Sequence, residues 1–457
     1  MNALLISAIS GILMMFSGFL ARRNASVRGI AYVLLLLVLG AAVLDLRGIE
    51  LFHIDVRGML RFDRFSSLFM VVAVLATLAY FLLSARDMEA VGPNYSEYFA
   101  LIFFILTGVA MTAAFSSLLI LFLGIEVLSI PLYILAGSEK SNLKSNEAAL
   151  KYFLMGSFST GLMLMGIALL YGATGTFATT PVVLAGQTVP VLVTSGMLLL
   201  LFALSFKVSA APFHFWTPDV YDGSPTVFTS FMATVVKAAG FIAFMRLFLE
   251  SFANIAPQWK LLVAVIVAIT LFIGNITAVF QQSVKRMLAY SSIAQAGFMM
   301  MAVYALNSDA QEGLILYAAA YSFATIGIFA VLIRMKDQSF EGFNGFARQQ
   351  PLVAATLVIF LLSLAGIPLT AGFLSKFYML RASLAAGSMA LPVFAVLMAA
   401  ISVYYYFRLL QAMYFREGDS GNTLRVSGGF KATLVAMAAV TILLGLFPEI
   451  LTNWLYF

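Results

Sequence analysis

The sequence lacks cysteine and has few histidines and few charged residues. Of its 457 residues none is cysteine, two are histidine (His53 and His214) and 10% are charged. The absence of cysteine excludes disulfides, iron–sulfur ligation and cysteine nucleophiles, and two histidines are too few for a histidine-based metal or haem site. We therefore expect neither a metal nor a cofactor in this chain. Since soluble domains have about 25% charged residues, the composition also excludes a soluble globular protein.

Hydrophobic residues, in contrast, make up 62% of the sequence. They occur in blocks of about 20 residues, the length of helix that crosses about 30 Å of hydrocarbon. The sequence therefore predicts an all-α polytopic membrane protein with about fourteen transmembrane helices in contact with membrane lipid. The predicted spans, numbered one to fourteen, are 2–21, 29–46, 65–84, 97–114, 116–136, 147–171, 193–221, 225–249, 260–281, 286–306, 311–334, 351–387, 389–415 and 431–450.

The positive charges are scattered between the hydrophobic blocks. The formal net charge is +6, but scattered charges do not form a basic face, so we expect no binding to nucleic acid. Most lysines and arginines follow odd-numbered spans, among them Arg22, Arg23, Arg86 and Arg425. Because cytoplasmic loops are rich in these residues, odd-numbered connections are predicted in the cytoplasm and both termini outside it. The basic connection between spans two and three is an exception to this rule.

Two predicted spans are too long for one helix and are interrupted by proline. The interruptions are Ser209–Pro218 in span seven and Ala365–Gly372 in span twelve. Each proline removes an amide donor and frees carbonyls that hydrocarbon cannot satisfy, so such breaks occur where the backbone is buried in protein or faces water. Pro212 and Pro368 each lie in the fourth member of a five-span block, spans four to eight and nine to thirteen.

Because five is odd, the second block enters the membrane from the opposite side. This arrangement predicts two inverted five-helix repeats, each containing a broken helix, with ion sites near the membrane midplane. The alternative is two unrelated kinked helices. The predicted units are an N-terminal three-helix segment (1–96), the first repeat (97–249), the second repeat (260–416) and a C-terminal transmembrane helix (431–457). The segment 172–194 is predicted to form a short hairpin outside the hydrocarbon.

Four ionisable residues lie well inside the predicted spans. They are Glu126, Lys207, Lys237 and Lys376, and each costs about 2.5–3.5 kcal/mol on insertion scales. No basic residue lies at helical spacing from Glu126, so its partner must come from another helix. Lys207 and Lys376 flank the two breaks, where freed carbonyls can stabilise an ammonium. Since burial disfavours the charged form of lysine, these residues can bind and release protons, and together they predict a lateral chain of protonable groups.

Two further residues are candidate neighbours of this chain. Lys151 lies one turn into span six, and His214 lies in the first break. The alternatives are structural: a fixed salt bridge for Glu126, snorkelling or interfacial anchoring for the lysines, and satisfaction of broken-helix carbonyls for His214.

Five stretches of the sequence resemble one known family. They are Gly124–Tyr133, Glu147–Phe153, Phe206–Pro225, Val284–Ser292 and Ala365–Tyr378. Together they are similar to the antiporter-like membrane subunits of bacterial proton-pumping NADH:quinone oxidoreductase (respiratory complex I), and among these to subunit N. The stretch Trp216–Tyr221, and lysine rather than glutamate at position 376, favour subunit N over its sister M.

The resemblance implies a role for each candidate residue. Glu126 and Lys207 resemble the family's coupled pair, Lys237 its central relay and Lys376 its terminal lysine, with Lys151 and His214 as supporting sites. It also implies a bacterial inner-membrane location and a proton-translocating role without bound redox groups. NADH, FMN, iron–sulfur clusters and quinone would be used by other subunits, and the implied partners are the antiporter-like subunits M and L and the small subunits K and J.

Two other functions stay open at this point. A subunit of a multi-subunit Mrp-type cation/proton antiporter would use the same fold and a similar set of glutamate and lysine residues. A purely structural spacer in a membrane complex is disfavoured by the cost of burying four charges.

Overall fold

The computed structural model describes residues 1–20, 23–182, 188–418 and 426–456, and these residues form an all-helical bundle. Arg22 and Arg425, which contribute to the predicted orientation, and the centre of the predicted hairpin lie outside this described part. The helices of the N-terminal half are α1 (Asn2–Leu20), α2 (Asn24–Leu46), α3 (Arg64–Ser84), α4 (Tyr95–Ala114), α5 (Leu118–Ala136), α6 (Leu143–Thr174), α7 (Val191–Lys207), α8 (Trp216–Gly223), α9 (Thr226–Phe231) and α10 (Lys237–Leu247).

The C-terminal half contains nine further α-helices in its described residues. They are α11 (Lys260–Val279), α12 (Val284–Ala305), α13 (Ser308–Leu332), α14 (Phe346–Gln349), α15 (Pro351–Ala365), α16 (Ala371–Ala385), α17 (Ala390–Phe415), α18 (Gly428–Leu446) and α19 (Glu449–Thr452). Short helical connections with other hydrogen-bond patterns join some of them. One of these is a π-helical turn, Met232–Val236, between α9 and α10.

Twelve helices in the described part of the chain are long and apolar enough to cross a membrane. One of the twelve is the continuous helix Thr226–Gln258, which includes α9 and α10. Predicted spans seven and twelve are instead each divided into two shorter helices, α7 with α8 and α15 with α16. The chain is therefore a multi-pass, all-α membrane protein, while the count of fourteen and the inverted arrangement stay predictions.

Both predicted helix breaks are confirmed. The first begins after Lys207 and ends where α8 starts at Trp216, so Pro212 lies within it and Pro218 lies in the first turn of α8. Proline is tolerated there because first-turn amides have no intrahelical acceptor. The second break separates α15 from α16, and it opens with Gly366 at φ +86°, a conformation that glycine adopts without strain.

Three helices occupy the centre of the bundle. The helix Thr226–Gln258, α12 and α13 are almost entirely buried, whereas α1, α2, α6 and α17 leave many large apolar side chains exposed. The central α12 also carries buried polar residues, including Ser291, Ser292 and Gln295. Polar side chains in a membrane protein favour such an interior position, because neighbouring helices provide hydrogen-bond partners that lipid lacks.

One arginine of the exceptional basic connection between spans two and three, Arg61, belongs to an ion-pair cluster around the buried Arg246. Arg246 is 3% exposed and donates to the carbonyls of Ala113 and Phe115 at 3.0 and 2.9 Å. It pairs with Asp63 at 2.9 Å and Glu250 at 3.4 Å, and Glu250 in turn pairs with Arg61 from that connection. Arg61 therefore neutralises carboxylates at one end of the bundle, in addition to any role in orientation.

The predicted hairpin at 172–194 is not observed in its described flanks. Phe177 accepts a hydrogen bond from the Leu118 amide at 2.8 Å, and Thr179 donates to the Ser116 carbonyl at 3.0 Å. The first flank therefore pairs with the start of α5, and the second flank leads into α7, which begins at Val191. Residues 183–187, which would form the turn, lie outside the described residues.

Candidate functional site

Glu126 and Lys207 lie on neighbouring helices but do not form an ion pair in the described structure. Lys207, the last residue of α7, donates to the hydroxyl of Ser129 at 3.0 Å and to that of Tyr133 at 3.3 Å. The Glu126 carboxylate instead accepts a hydrogen bond from the Thr160 hydroxyl at 2.7 Å. The partner of Glu126 therefore comes from another helix, as predicted, but it is a hydroxyl group rather than a base.

The spacing along α5 explains why both contacts involve the same helix. Ser129 and Tyr133 follow Glu126 by three and seven positions, so all three side chains share one helix face. Gly156 on α6 makes room for this face, because a Cβ atom at that position would collide with the Tyr133 hydroxyl. The result is a polar site, between α5, α6 and α7, that holds a carboxylate and an ammonium separated by hydroxyl groups.

Lys237 is the most deeply buried of the four ionisable residues. It is 2% exposed and begins α10, directly after the π-helical turn Met232–Val236. Its ammonium donates to the Ser292 carbonyl at 3.1 Å and to the hydroxyl of the same residue. Among the described residues no carboxylate pairs with it, so only dipolar groups stabilise a charge here. Snorkelling is excluded for this lysine by its burial.

An aromatic column lies between Lys207 and Lys237. We give this name to Tyr133, Tyr152, Trp216 and Tyr221, whose successive ring centroids are 4.8, 4.7 and 6.0 Å apart. The Lys207 ammonium lies 5.8 Å from the centre of the Tyr133 ring, and the Lys237 ammonium lies 5.6 Å from that of Tyr221. The two lysines are therefore connected through stacked and edge-to-face rings.

Lys376 binds the carbonyls that the second break frees. Its ammonium donates to the carbonyls of Leu364 at 2.7 Å and Ala365 at 3.0 Å, and it lies 4.7 Å from the centre of the Phe298 ring. Lys376 is 6% exposed. This is the contact expected from the sequence, since the last carbonyls of α15 have no amide partner in a continuing helix.

A polar network lies between Lys237 and Lys376. Gln295 donates to the Leu364 carbonyl at 2.9 Å, the same oxygen that accepts from Lys376, and also to the Tyr406 hydroxyl at 3.1 Å. Tyr406 is 2.6 Å from the Ser291 hydroxyl, and Tyr317 donates to Gln295. Ser291 is next in sequence to Ser292, the ligand of Lys237, so this network runs from Lys376 to the turn of α12 that holds Lys237.

Lys151 lies apart from the buried lysines. Its side chain is 40% exposed and forms ion pairs with Glu147 at 2.7 Å and Asp219 at 2.9 Å. These residues line a charged cavity of about 160 Å³, which Arg286 borders from α12. This position agrees with interfacial anchoring, the structural alternative for Lys151.

His214 lies in the first break, as the sequence indicates. It contacts the ring of Phe215, but within the described ranges no hydrogen bond or ion pair connects it to Glu126 or to the lysines. The described residues also contain no group of three or more acidic or histidine side chains placed to hold a metal ion.

Several residues of the site were missed by sequence reasoning. Ser129, Tyr133 and Thr160 bind Glu126 or Lys207, and helical spacing from Glu126 would have identified the first two. Gln295 on α12 is not ionisable and so is not among the sequence candidates, whereas the structure gives it a central place in the network. Arg246 was missed because it lies near the end of a predicted span.

Comparison with known proteins shows which family this chain resembles. Residues 114–402 match the family model described as the transmembrane region of NADH:quinone oxidoreductase and Mrp antiporters. NADH-quinone oxidoreductase subunit N of Cytophaga hutchinsonii is 40% identical, over 99% of this chain and 98% of that protein. Subunit N 2 of Rhizobium meliloti is also 40% identical, over 86% of this chain and 83% of that protein.

Solved structures show the same fold. A chain of respiratory complex I from Thermus thermophilus with bound aureothin has a TM-score of 0.85 at 33% identity, and the match covers 99% of this chain and 98% of that chain. A chain of the Mrp complex from Dietzia sp. has a TM-score of 0.87, covering 99% and 96%, but is only 20% identical. The second likeness concerns the fold alone.

Proposed function

The chain belongs to the family of NADH-quinone oxidoreductase subunit N, and on this premise we propose that it is a non-redox, proton-translocating subunit of such a complex. Other subunits would carry electrons from NADH through FMN and iron–sulfur clusters to quinone. This chain would use the released energy to move protons outward, against about 2.3 kcal/mol per charge per 100 mV of membrane potential.

The observation that supports this role is the placement of three ammonium groups inside the bundle, those of Lys207, Lys237 and Lys376, which we call the lysine line. Lys237 and Lys376 are buried, and Lys207 is partly buried. Lys207 ends α7 at the first break, Lys237 lies in the central helix, and Lys376 binds the carbonyls of the second break. A structural spacer would not need charges at the centre of the bundle, where each is costly. Their spacing by polar and aromatic side chains supports transfer of protons from one lysine to the next.

In this proposal Lys207 and Lys376, at the two ends of the lysine line, have different functions. At one end, a shift of Lys207 from Ser129 toward Glu126 would stabilise both charges, and the reverse shift would favour release of a proton. At the other end, the Lys376 ammonium donates to the carbonyls of Leu364 and Ala365, which would stabilise its charged form until the proton is passed on. Between them, Lys237 donates hydrogen bonds to Ser292 and lies against the ring of Tyr221, with no carboxylate partner among the described residues, so its charge would depend most strongly on its neighbours.

The same proposal includes the number of transmembrane helices, the membrane that holds the chain and the partner subunits. We propose fourteen transmembrane helices with two inverted five-helix repeats, in the bacterial inner membrane, with both termini outside the cytoplasm. We further propose assembly with antiporter-like subunits M and L and small subunits K and J. The Mrp-type alternative is less well supported, because the Mrp likeness concerns the fold, whereas the NADH-quinone oxidoreductase relatives are 36–40% identical over most of the chain.

The test is proton pumping by the assembled complex carrying Lys207→Ala or Glu126→Gln. We expect NADH-driven proton uptake into inverted membrane vesicles to fall about tenfold or more, because loss of a positioned proton carrier typically costs at least that much. The matched control is Lys140→Ala, which removes an exposed lysine at the end of the connection before α6. Full pumping by both site variants, in complexes assembled normally, would contradict the proposed mechanism.

A further inference from the structure

An apolar cavity lies at one end of the bundle, away from the buried lysines. Its volume is about 470 Å³, and it is lined by side chains of α2, α3, α13, α18 and the segment after α18. Leu68 and Leu75 lie along its α3 wall, which gives it a length of about 10 Å at 1.5 Å per residue. Ala319 and Phe323 of the central helix α13 form its inner wall. Its lining is apolar apart from Arg47.

Arg47 is one of several described arginines that form no ion pair, among them Arg57, Arg64 and Arg86. Six arginines form ion pairs with carboxylates: Arg28, Arg61, Arg246, Arg286, Arg334 and Arg381. The exposed guanidinium of Arg47, in contrast, makes no ion pair or hydrogen bond to any residue that the structure describes. The nearby Asp45 carboxylate is already bound by the amides of Asn2 and Ala3. The cavity therefore has one cationic group that lacks an anionic partner.

The rim of the cavity has the composition of a membrane–water interface. Trp454 and Ile450 border it and are 44% and 52% exposed. Tryptophan prefers the headgroup level of a bilayer, and Arg47 lies at the same end, directly after α2. The cavity thus extends from the headgroup level toward the hydrocarbon interior. An apolar cavity of this kind does not retain water, whereas an acyl chain fits both its lining and its direction.

We propose that this cavity binds an anionic phospholipid of the surrounding membrane. One acyl chain lies between α3, α13 and α18 and reaches Ala319 and Phe323, and the phosphate group pairs with Arg47. Guanidinium groups bind phosphate in a bidentate manner, which compensates the missing carboxylate partner. The lipid fills the space between the N-terminal helices and the central helix α13, and this role is independent of proton transfer.

The test uses the purified intact complex and two photoreactive lipids, phosphatidylglycerol and phosphatidylcholine, with a diazirine at the end of one identical acyl chain. We expect phosphatidylglycerol to label peptides of α13 and α18 about fivefold more strongly, since one arginine near an anionic lipid contributes about that preference. Arg47→Gln should abolish the preference, and Arg57→Gln, an exposed arginine of the same connection, should retain it. Ala319→Trp, which fills the cavity, should reduce labelling by both lipids, unlike Val396→Trp on the exposed face of α17.

Three outcomes would overturn the proposal. Equal labelling by the two lipids, or an unchanged preference in Arg47→Gln, would show that the cavity does not recognise an anionic headgroup. A crosslink from a photoreactive residue at Val440 to another polypeptide would show that a neighbouring subunit occupies the cavity instead. If Ala319→Trp fails to assemble, the surface substitution Arg47→Gln still decides the question.

Discussion

The two halves of the lysine line are built from different chemical groups. Between Lys207 and Lys237 lies the aromatic column, in which ring contacts predominate. Between Lys237 and Lys376 lies a network of hydroxyl, amide and carbonyl groups centred on Gln295. Rings exclude water and hydrogen-bonded groups can organise it, so we infer that the first half controls passage of a proton and the second half conducts it.

The largest loss of proton pumping is expected for substitution of Lys237, where the two halves of the lysine line meet. Lys237→Ala removes the group that both halves share, and we expect coupled proton pumping to fall about a hundredfold, within the range for loss of a positioned proton-transfer group. NADH-driven quenching of a pH-sensitive dye in inverted vesicles measures this effect. Lys336→Ala, at an exposed position, is the control. Pumping at the unmutated level in Lys237→Ala would mean that the halves do not form one path.

The next effect tests the hydrogen-bonded half. Gln295→Leu keeps the side-chain volume approximately but leaves Tyr317 and Tyr406 without their amide partner, at a cost of about 1–3 kcal/mol. We expect pumping to fall about tenfold if that cost appears in the transfer step. The same change at Gln411, exposed on α17, should leave pumping intact. Equal behaviour of the two variants would argue against conduction through the network.

The aromatic half is tested by removing its central ring. Trp216 stacks on Tyr152 and donates to the Phe206 carbonyl at 3.1 Å. Trp216→Ala should admit water, so that fewer protons are pumped for each NADH oxidised while oxidation itself continues. It should also destabilise the subunit by about 3–5 kcal/mol, visible as a lower melting temperature.

The control for the aromatic half is Phe215→Ala, next to Trp216 in sequence but 62% exposed. Trp216→Phe retains a ring and should preserve most of the coupling. A Trp216→Ala variant with the normal number of protons per electron pair would show that the aromatic column does not control passage.

The smallest effect is expected at the far end of the hydrogen-bonded half. Lys376→Arg keeps a cation that can donate to the carbonyls of Leu364 and Ala365, so we expect a loss of only a fewfold, whereas Lys376→Ala leaves these carbonyls unpaired. The pH dependence of the pumping rate distinguishes a proton-transfer role of Lys376 from a purely structural one. If the Lys376 proton must leave, the arginine variant should fall below the lysine protein mainly at high pH, where lysine can release its proton and arginine cannot. Identical pH profiles for arginine and lysine would assign Lys376 a purely structural role.

Sequence reasoning identified the buried charges well because burial of a charge is costly wherever it occurs. Lys207, Lys237 and Lys376 stood out against apolar surroundings, and all three are largely enclosed or hydrogen-bonded in the structure. It failed for Arg246, which lies near the end of a predicted span and looked interfacial. The supporting role of Lys151 stays a prediction, and its ion pairs with Glu147 and Asp219 place it in a charged cavity apart from the buried lysines.

By itself, the sequence determined the all-α membrane class and the positions of both helix breaks, since hydropathy and proline act locally along the chain. It also identified the ionisable residues that lie inside the hydrophobic spans. Only the tertiary structure decided what separates them: hydroxyl groups between Glu126 and Lys207, rings before Lys237 and an amide network after it. Those neighbours come from helices far apart in sequence, and their contacts depend on which faces of the packed helices meet.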